Sequence, residues 1–118
     1  MSKITDVITK RVRPLLDDTD TLPANQDWLD AQLLYWYTDA LNAIRGLRSD
    51  AFINATGDEI VLTTPIDVSE DRILDDRWMN AEAEYIAFMA FSEDAGDQRD
   101  EKRSQEHLAS FNRLIKTL

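Results

Sequence analysis

Few residues in this chain could carry out acid–base or nucleophilic chemistry, and they are not grouped. The chain has one histidine, His107, and no cysteine. No Ser, Cys or carboxylate stands at a spacing that links it to His107, so a solvent-facing or helix-packing role fits this residue better than catalysis. Asp75 and Asp76 are adjacent carboxylates, but capping of a helix explains them, and Arg72 and Arg77 indicate local ion pairs. The sequence therefore predicts a protein that is not an enzyme and has no catalytic residues.

The acidic connector at 17–26 resembles a calcium-binding loop only in its composition. An EF-hand loop needs a Gly at its sixth position and a Glu at its twelfth. Counted from Asp18, these positions hold Pro23 and Leu29. The sequence also has no paired-histidine motif and no Gly-rich phosphate loop. We therefore expect a solvated turn at this connector, and neither a metal nor an organic cofactor.

Four aromatic residues, Trp28, Tyr35, Trp36 and Tyr37, fall within one predicted helix. They can form core and rim, or they can form a belt at an interface, where Trp and Tyr are enriched. Trp28 and Trp36 lie on the apolar stripe of the helix, whereas Tyr35 does not. If one of them faces a partner, Tyr35 is the predicted residue.

Four helices must position these side chains. Apolar residues recur at intervals of three and four along most of their length, which is typical of amphipathic helices. Pro14 lies inside the first pattern, and its missing N–H predicts a kink or an early end there. The predicted helices cover residues 2–16, 27–47, 77–95 and 97–116.

Between the second and third helices the pattern changes to short β-prone runs over 51–64, with a turn at 56–58. These runs predict a short β-hairpin or an extended arm. The predicted fold class is mainly α, a single four-helix bundle-like domain over residues 1–118 with this arm inserted. Large apolar residues on the helical stripes form its predicted core, namely Leu33, Trp36, Ile44, Trp78, Tyr85 and Phe88.

The last predicted helix has two unlike halves. Its first half, 97–106, has no apolar residue, so ion pairs such as Asp100–Arg103, or neighbouring subunits, must support it. Its second half either closes the protein's own bundle or docks on another chain. Four large apolar residues define that C-terminal strip, namely Phe111, Leu114, Ile115 and Leu118.

The charge balance excludes several classes of partner. The chain has 13 basic and 23 acidic residues and a net charge of −10. Nucleic-acid binding depends on Lys and Arg, and anionic membranes attract basic faces, so neither is an expected partner. No apolar run is long enough to span a membrane, and the first residues lack the apolar core of a signal peptide. The sequence predicts a soluble protein made inside the cell.

The order of several short motifs resembles the head-to-tail adaptor (connector) proteins of tailed bacteriophages. Residues 15–20 read Leu-Leu-Asp-Asp-Thr-Asp. The helix that follows carries the next motif residues, Trp28, Asp30, Leu33, Leu34, Trp36, Asp39 and Ala40. Residues 48–52 read Arg-Ser-Asp-Ala-Phe, with Ser where the family usually has Pro. The resemblance continues through the aromatic-rich stretch 85–95 to His107-Leu108-x-x-Phe111. The segment 49–75 is shorter than the family's, which implies a reduced β portion.

This resemblance implies a structural virion protein at the head–tail interface, made in the host cytoplasm. Such a protein forms a homo-oligomeric ring beneath the portal protein, typically of twelve copies. The ring extends the DNA channel and docks the next tail or nozzle protein. DNA passes through without specific binding, and an acidic wall fits that role because it repels phosphates.

The resemblance also suggests contact surfaces. Part of the C-terminal strip, Phe111, Leu114, Ile115 and Leu118, is expected to dock on the portal or a neighbour. The alternative function is a free acidic binding or inhibitor protein that occupies a basic groove of a host protein, although arginines interrupt the acidic residues throughout. The expected subunit interface comprises Tyr35, Arg99, Asp100, Lys102 and Arg103.

Overall fold

The computed structural model describes residues 2–19, 27–93 and 98–118, except for the side chains of residues 98 and 99. Among the predicted site residues, the side chain of Arg99 therefore lies outside the described part. The described chain is mainly helical, as predicted, and contains four helices and two short 3-10 turns, Ser49–Phe52 and Asp76–Trp78. The helices are α1 (residues 4–16), α2 (Asp30–Leu47), α3 (Met79–Glu93) and α4 (Gln98–Thr117).

The first helix, α1, changes its winding before its proline. Ile4–Val7 and Arg13–Leu16 are α-helical, whereas Ile8–Val12 is π-helical. In a regular helix the ring of Pro14 would collide with the carbonyl four residues earlier, and the wider π turn relieves that collision. The helix continues only two residues beyond Pro14 and ends where Asp17 adopts a left-handed φ of 54°.

The third helix, α3, contacts all three others and is buried on most of its circumference. Alanines at 81, 83, 87 and 90 are at most 2% exposed, and their small side chains let the neighbouring helices approach closely. Leu33, Trp36, Ile44 and Trp78 are buried, in agreement with the predicted core. The core prediction is wrong for Tyr85 and Phe88, which are only partly buried.

The two misplaced aromatics lie at the rim where α3 meets α4. The Tyr85 ring meets the Phe88 ring edge-on at 5.5 Å and the Phe111 ring at 5.0 Å. The centre of α3 is occupied by alanines and Ile86 instead. A hydrophobicity pattern ranks large rings above alanine, and it therefore misses a helix whose close packing depends on small residues.

The predicted β-hairpin does not form. In the described part of the chain the only pairing within 51–64 is an isolated bridge between Ile53 and Glu59. Asn54 Oδ1 accepts hydrogen bonds from the backbone N–H groups of Thr56 and Asp58, at 3.0 and 2.9 Å. These donors are thus satisfied by a side chain rather than by an opposite strand. Val61 is 73% exposed, so no buried face holds two strands in register.

The irregular segment after the turn, residues 64–72, is held at its C-terminal end against the start of α1. The backbone N–H groups of Ile4 and Thr5 donate to the carbonyls of Glu70 and Val68, at 2.9 and 2.8 Å. The N–H of Arg72 donates to the carbonyl of Ser2 at 3.0 Å. Residues 68–72 are therefore fixed, and the adjacent residues 64–68 lie along α2.

A buried ion pair joins this segment to α3. Arg72 and Glu82 are both fully buried, and Nε and Nη2 of Arg72 each lie 2.9 Å from Glu82 Oε1. Arg72 Nη1 also donates to Asp76 Oδ1 and to the Ser2 hydroxyl, at 2.8 and 3.0 Å. Burial raises the pKa of Glu82 to about 7, and the charge of Arg72 opposes that shift. Glu82 Oε2 and the Tyr37 hydroxyl are buried without a hydrogen-bond partner in the described chain.

We predict that the protein loses stability as the pH rises from about 4.5 to about 7. The pKa of Glu82 is about 7 in the folded chain and ordinarily 4.5, so the unfolded chain loses this proton first. Deprotonation in that window therefore favours unfolding, by about 1–3 kcal/mol. Urea unfolding at about pH 5 and about pH 8 measures the difference. The Glu82→Gln variant should lose this dependence, and an equal dependence in both proteins would contradict the assignment.

Other carboxyls do not obscure this window. Hydrogen bonds that they accept lower the pKa values of Asp6, Asp50, Asp67 and Asp71 below the ordinary 3.8. Each adds stability as the pH rises through the acid range below the Glu82 window, which is the opposite sign.

We predict unequal costs for two aromatic truncations. Trp36→Ala should lower the free energy of unfolding by about 3–5 kcal/mol, because Trp36 is 5% exposed. Phe88→Ala should cost about half of that, because part of its ring already contacts solvent. Thermal and urea unfolding of both variants measure the costs. Equal losses would mean that Phe88 belongs to the core after all.

Candidate interaction surface

Most of the acidic connector, residues 20–26, where the sequence predicts a solvated turn, lies outside the described residues, but Asp18 at its start is bound within the chain. Arg13 is 2% exposed, and its Nη1 and Nη2 lie 2.9 Å from Asp18 Oδ2 and 2.6 Å from Asp30 Oδ1. Nη1 also donates to the carbonyl of Trp28 at 3.0 Å. Asp18 accepts from the backbone N–H groups of Asp27 and Trp28. These bonds, which we call the Arg13 cluster, join the end of α1 to the start of α2. No group of His, Asp or Glu that could bind a metal occurs in the described residues.

A second arginine holds the far end of the bundle. Arg48 forms two parallel bonds of 2.8 Å with the carboxylate of Asp50, and its Nη1 donates to the carbonyl of Ile115 at 2.7 Å. Its guanidinium lies over the Trp78 ring, 5.2 Å from the centroid. The hydrogen bond with Arg48 lowers the pKa of Asp50. Arg48 therefore connects the 3-10 turn after α2 to the last turn of α4.

The single histidine packs between helices. His107 Nδ1 lies 2.5 Å from Glu84 Oε2, and the imidazole stacks on the Phe91 ring at 5.6 Å between centroids. These contacts join α4 to α3.

Of the two alternatives for the C-terminal strip, closure of the protein's own bundle is confirmed for Phe111 and Ile115, and docking on another chain is therefore wrong for these two residues. Phe111 and Ile115 are 1% and 6% exposed and belong to the protein's own core. The three- and four-residue spacing that marked the strip places both side chains against α3 rather than outside. Leu114 and Leu118 are partly buried, so each keeps some accessible surface.

The structure does not bring the residues of the predicted subunit interface together in one groove. Tyr35 is 67% exposed, as a partner-facing residue must be. Asp100 pairs with Arg103 at 3.8 Å, and the Arg103 guanidinium lies 5.6 Å from the centroid of the Phe91 ring. Lys102 is exposed on α4. None of these three α4 residues lines the groove that contains Tyr35.

Tyr35 stands at the edge of a groove of about 660 Å³, which we call the acidic groove. One wall is the face of α2 that carries Asp30, Leu34, Tyr35 and Asp39, and the other is residues 64–68 of the irregular segment. Ile66 on that segment is 90% exposed. The carboxylates of Asp30, Asp39 and Asp67 line the groove together with these apolar groups, whereas no Lys or Arg does so. Sequence reasoning missed Ile66, although an apolar residue directly after Pro65 was a usable signal.

A second groove, of about 360 Å³, carries the opposite charge, and we call it the basic groove. It is formed by α1, α3 and α4, and it brings together residues that are far apart in the sequence. Glu84 also lines this groove, but its carboxylate is already paired with His107. No linear motif indicates this groove. Its basic and apolar residues are Lys10, Arg11, Leu15, Ala83, Arg113 and Leu114.

Comparison of the chain with protein-family models, with curated proteins and with solved structures finds no match. Within the described ranges no helix is both long enough and apolar enough to cross a membrane. The two grooves and the buried ion pairs are therefore the observations that bear on function.

We predict that the Arg13 cluster makes a large contribution to the free energy of unfolding. Arg13→Met should lower the free energy of unfolding by about 3–5 kcal/mol, because it leaves the 4% exposed Asp18 buried without its cation. The matched control is Lys10→Met in the same helix, which removes only an exposed i,i+4 pair with Asp6 and should cost under about 0.5 kcal/mol. Urea unfolding measures both. Similar losses of unfolding free energy in the two variants would show that the Arg13 cluster contributes little to stability.

Proposed function

We propose that this chain is a head-to-tail adaptor of a tailed bacteriophage, a structural virion protein that forms a ring beneath the portal. One observation carries the proposal. Charged residues of the short motifs whose order resembles that family take part in ion pairs that connect elements of the fold. Asp18 and Asp30 share Arg13, and Arg48 pairs with Asp50.

The apolar parts of the same motifs support the proposal too. In the helix motif that follows the connector, Leu33, Trp36 and Ala40 are buried on α2. In the turn motif, Ala51 and Phe52 are 4% and 3% exposed. The motifs therefore act as fold-specifying residues, which is what a structural family with no catalytic chemistry would retain.

The charge distribution suits a channel that DNA crosses. The net charge is −10, and two of the arginines, Arg13 and Arg72, are buried in ion pairs. Their charges are thereby withdrawn from the surface. A wall of such subunits repels phosphates and lets duplex DNA slide, whereas free basic side chains would hold it by releasing counterions.

The second candidate is a free acidic protein that occupies a basic groove of a host protein. The net charge favours it through electrostatic steering. Against it, several carboxylates that such a mimic would display are paired with arginines of the same chain, as in Asp30 with Arg13 and Asp76 with Arg72. The adaptor is therefore the function that we propose, and the mimic is an outcome that the following experiment recognises.

We predict that the purified chain joins the portal protein of its own virus in a ring coaxial with the portal, expected to hold twelve copies. Mass photometry and electron microscopy of the mixture measure the mass and symmetry. Binding should survive moderate salt, because apolar burial contributes to it. Duplex DNA should bind the isolated chain only weakly even at low salt.

An unrelated acidic protein of similar size and charge serves as the control and should not decorate the portal. A chain that stays small beside the portal, and that binds basic host proteins only at low salt, would contradict the adaptor and favour the mimic.

A further inference from the structure

The acidic groove and the basic groove are complementary in charge and share no residue. Building on the adaptor function, we propose that they are the two halves of one head-to-tail interface between copies. The exposed edge of the acidic groove, formed by Tyr35 and Ile66, enters the basic groove of a second copy. The carboxylates of Asp39 and Asp67 then face Arg11 and Arg113 of that copy.

The acidic side offers apolar surface that the fold itself does not cover. Tyr35 and Ile66 are 67% and 90% exposed, and both line the same groove. A projecting tyrosine beside an exposed isoleucine is the kind of anchor that dominates the energy of an interface, because both lose contact with water when a partner covers them. Asp39 forms no ion pair in the described chain, so its carboxylate is free to meet a cation from outside.

The basic side offers charges that the fold itself does not neutralise. Across the described ranges Arg11 and Arg113 have no carboxylate partner; Arg11 donates to Asn80 at 2.9 Å and Arg113 only to the Ser110 hydroxyl at 3.4 Å. Arg11 lies in the π-helical part of α1, and such turns occur frequently at functional sites. Leu15 is 36% exposed and Leu114 partly buried, so apolar surface lies in the same groove as the two arginines.

A second copy is the occupant that these features favour. Each surface lacks what the other has, since no cation lines the acidic groove and the one carboxylate of the basic groove is already paired with His107. Joining two different patches gives a heterologous contact, which leaves one free patch at each end of a dimer. Repetition of that contact closes into a ring when the rotation allows it, and such closure is what the adaptor function requires.

The test uses one variant for each surface. In the first variant, Tyr35→Ser is combined with Asp39→Asn, so that the altered acidic surface offers no cation to the altered basic surface of the second variant. In the second, Arg11→Glu is combined with Arg113→Glu. Two control variants alter comparable exposed residues outside both grooves: Leu47→Ser, on the same helix as Tyr35, and Lys116→Glu, on the same helix as Arg113. Circular dichroism and thermal unfolding establish that all four are folded like the wild type.

Self-association is measured by sedimentation and native mass spectrometry up to millimolar concentration, alone and with the portal protein. Each double variant alone should weaken self-association at least about tenfold, the effect of losing an interface anchor. The two control variants should assemble like the wild type. An equal mixture of the two double variants should give heterodimers and nothing larger, because each molecule keeps one intact surface and only one productive pairing exists.

Several outcomes would overturn the proposal. Rings of the wild-type kind from either double variant would show that the surface in question is not the interface, while leaving the adaptor function intact. A mixture without heterodimers would exclude a head-to-tail contact between these two surfaces. If the wild type forms head-to-tail oligomers that the variants abolish but ignores the portal, the interface stands and the adaptor function fails. A wild type that stays monomeric under every condition would contradict both.

Discussion

A guanidinium group cannot give up its charge inside a protein, so each arginine that is buried here has to be surrounded by oxygen atoms. That constraint determines which parts of the chain meet. Arg13 draws together the end of α1, the connector and the start of α2. Arg72 gathers the N-terminus, the irregular segment and α3 around one side chain. The helices supply apolar area, and these two cations fix how the pieces between them are arranged.

The helices themselves could be predicted because their evidence is local. The three- and four-residue spacing of apolar side chains on α2 and α4 lies within a short stretch of sequence. Trp36 and Trp78 are large apolar residues and therefore contribute strongly to the hydrophobic pattern. The buried arginines could not be predicted in the same way. Their burial depends on acceptors that are between 5 and 17 residues away for Arg13, and a charged letter in a sequence ordinarily indicates solvent.

The candidate surfaces were found in part, and the missing part has a physical reason. Tyr35 stood off the apolar stripe of its helix and was recognisable for that reason. Arg11 and Arg113 were not recognisable, because only the packing of α1 against α3 and α4 brings them to one groove. The C-terminal strip left two alternatives open for the converse reason. Phe111 and Ile115 look equally apolar whether they face the same chain or another, and only tertiary structure separates the two cases.

The contacts of residues 2–5 with 68–72 also decide the order in which the chain can mature during synthesis. The N–H groups at the start of α1 find their carbonyls only after more than half of the protein has been made. The last turn of α4 is likewise held by Arg48, near the middle of the chain. The start of α1 thus depends on residues that are made later, and the end of α4 on a residue that is made earlier, so neither half of the described chain has a complete set of partners alone. Contacts of this sequence separation slow folding, because the chain between the two partners has to be ordered before the bonds can form.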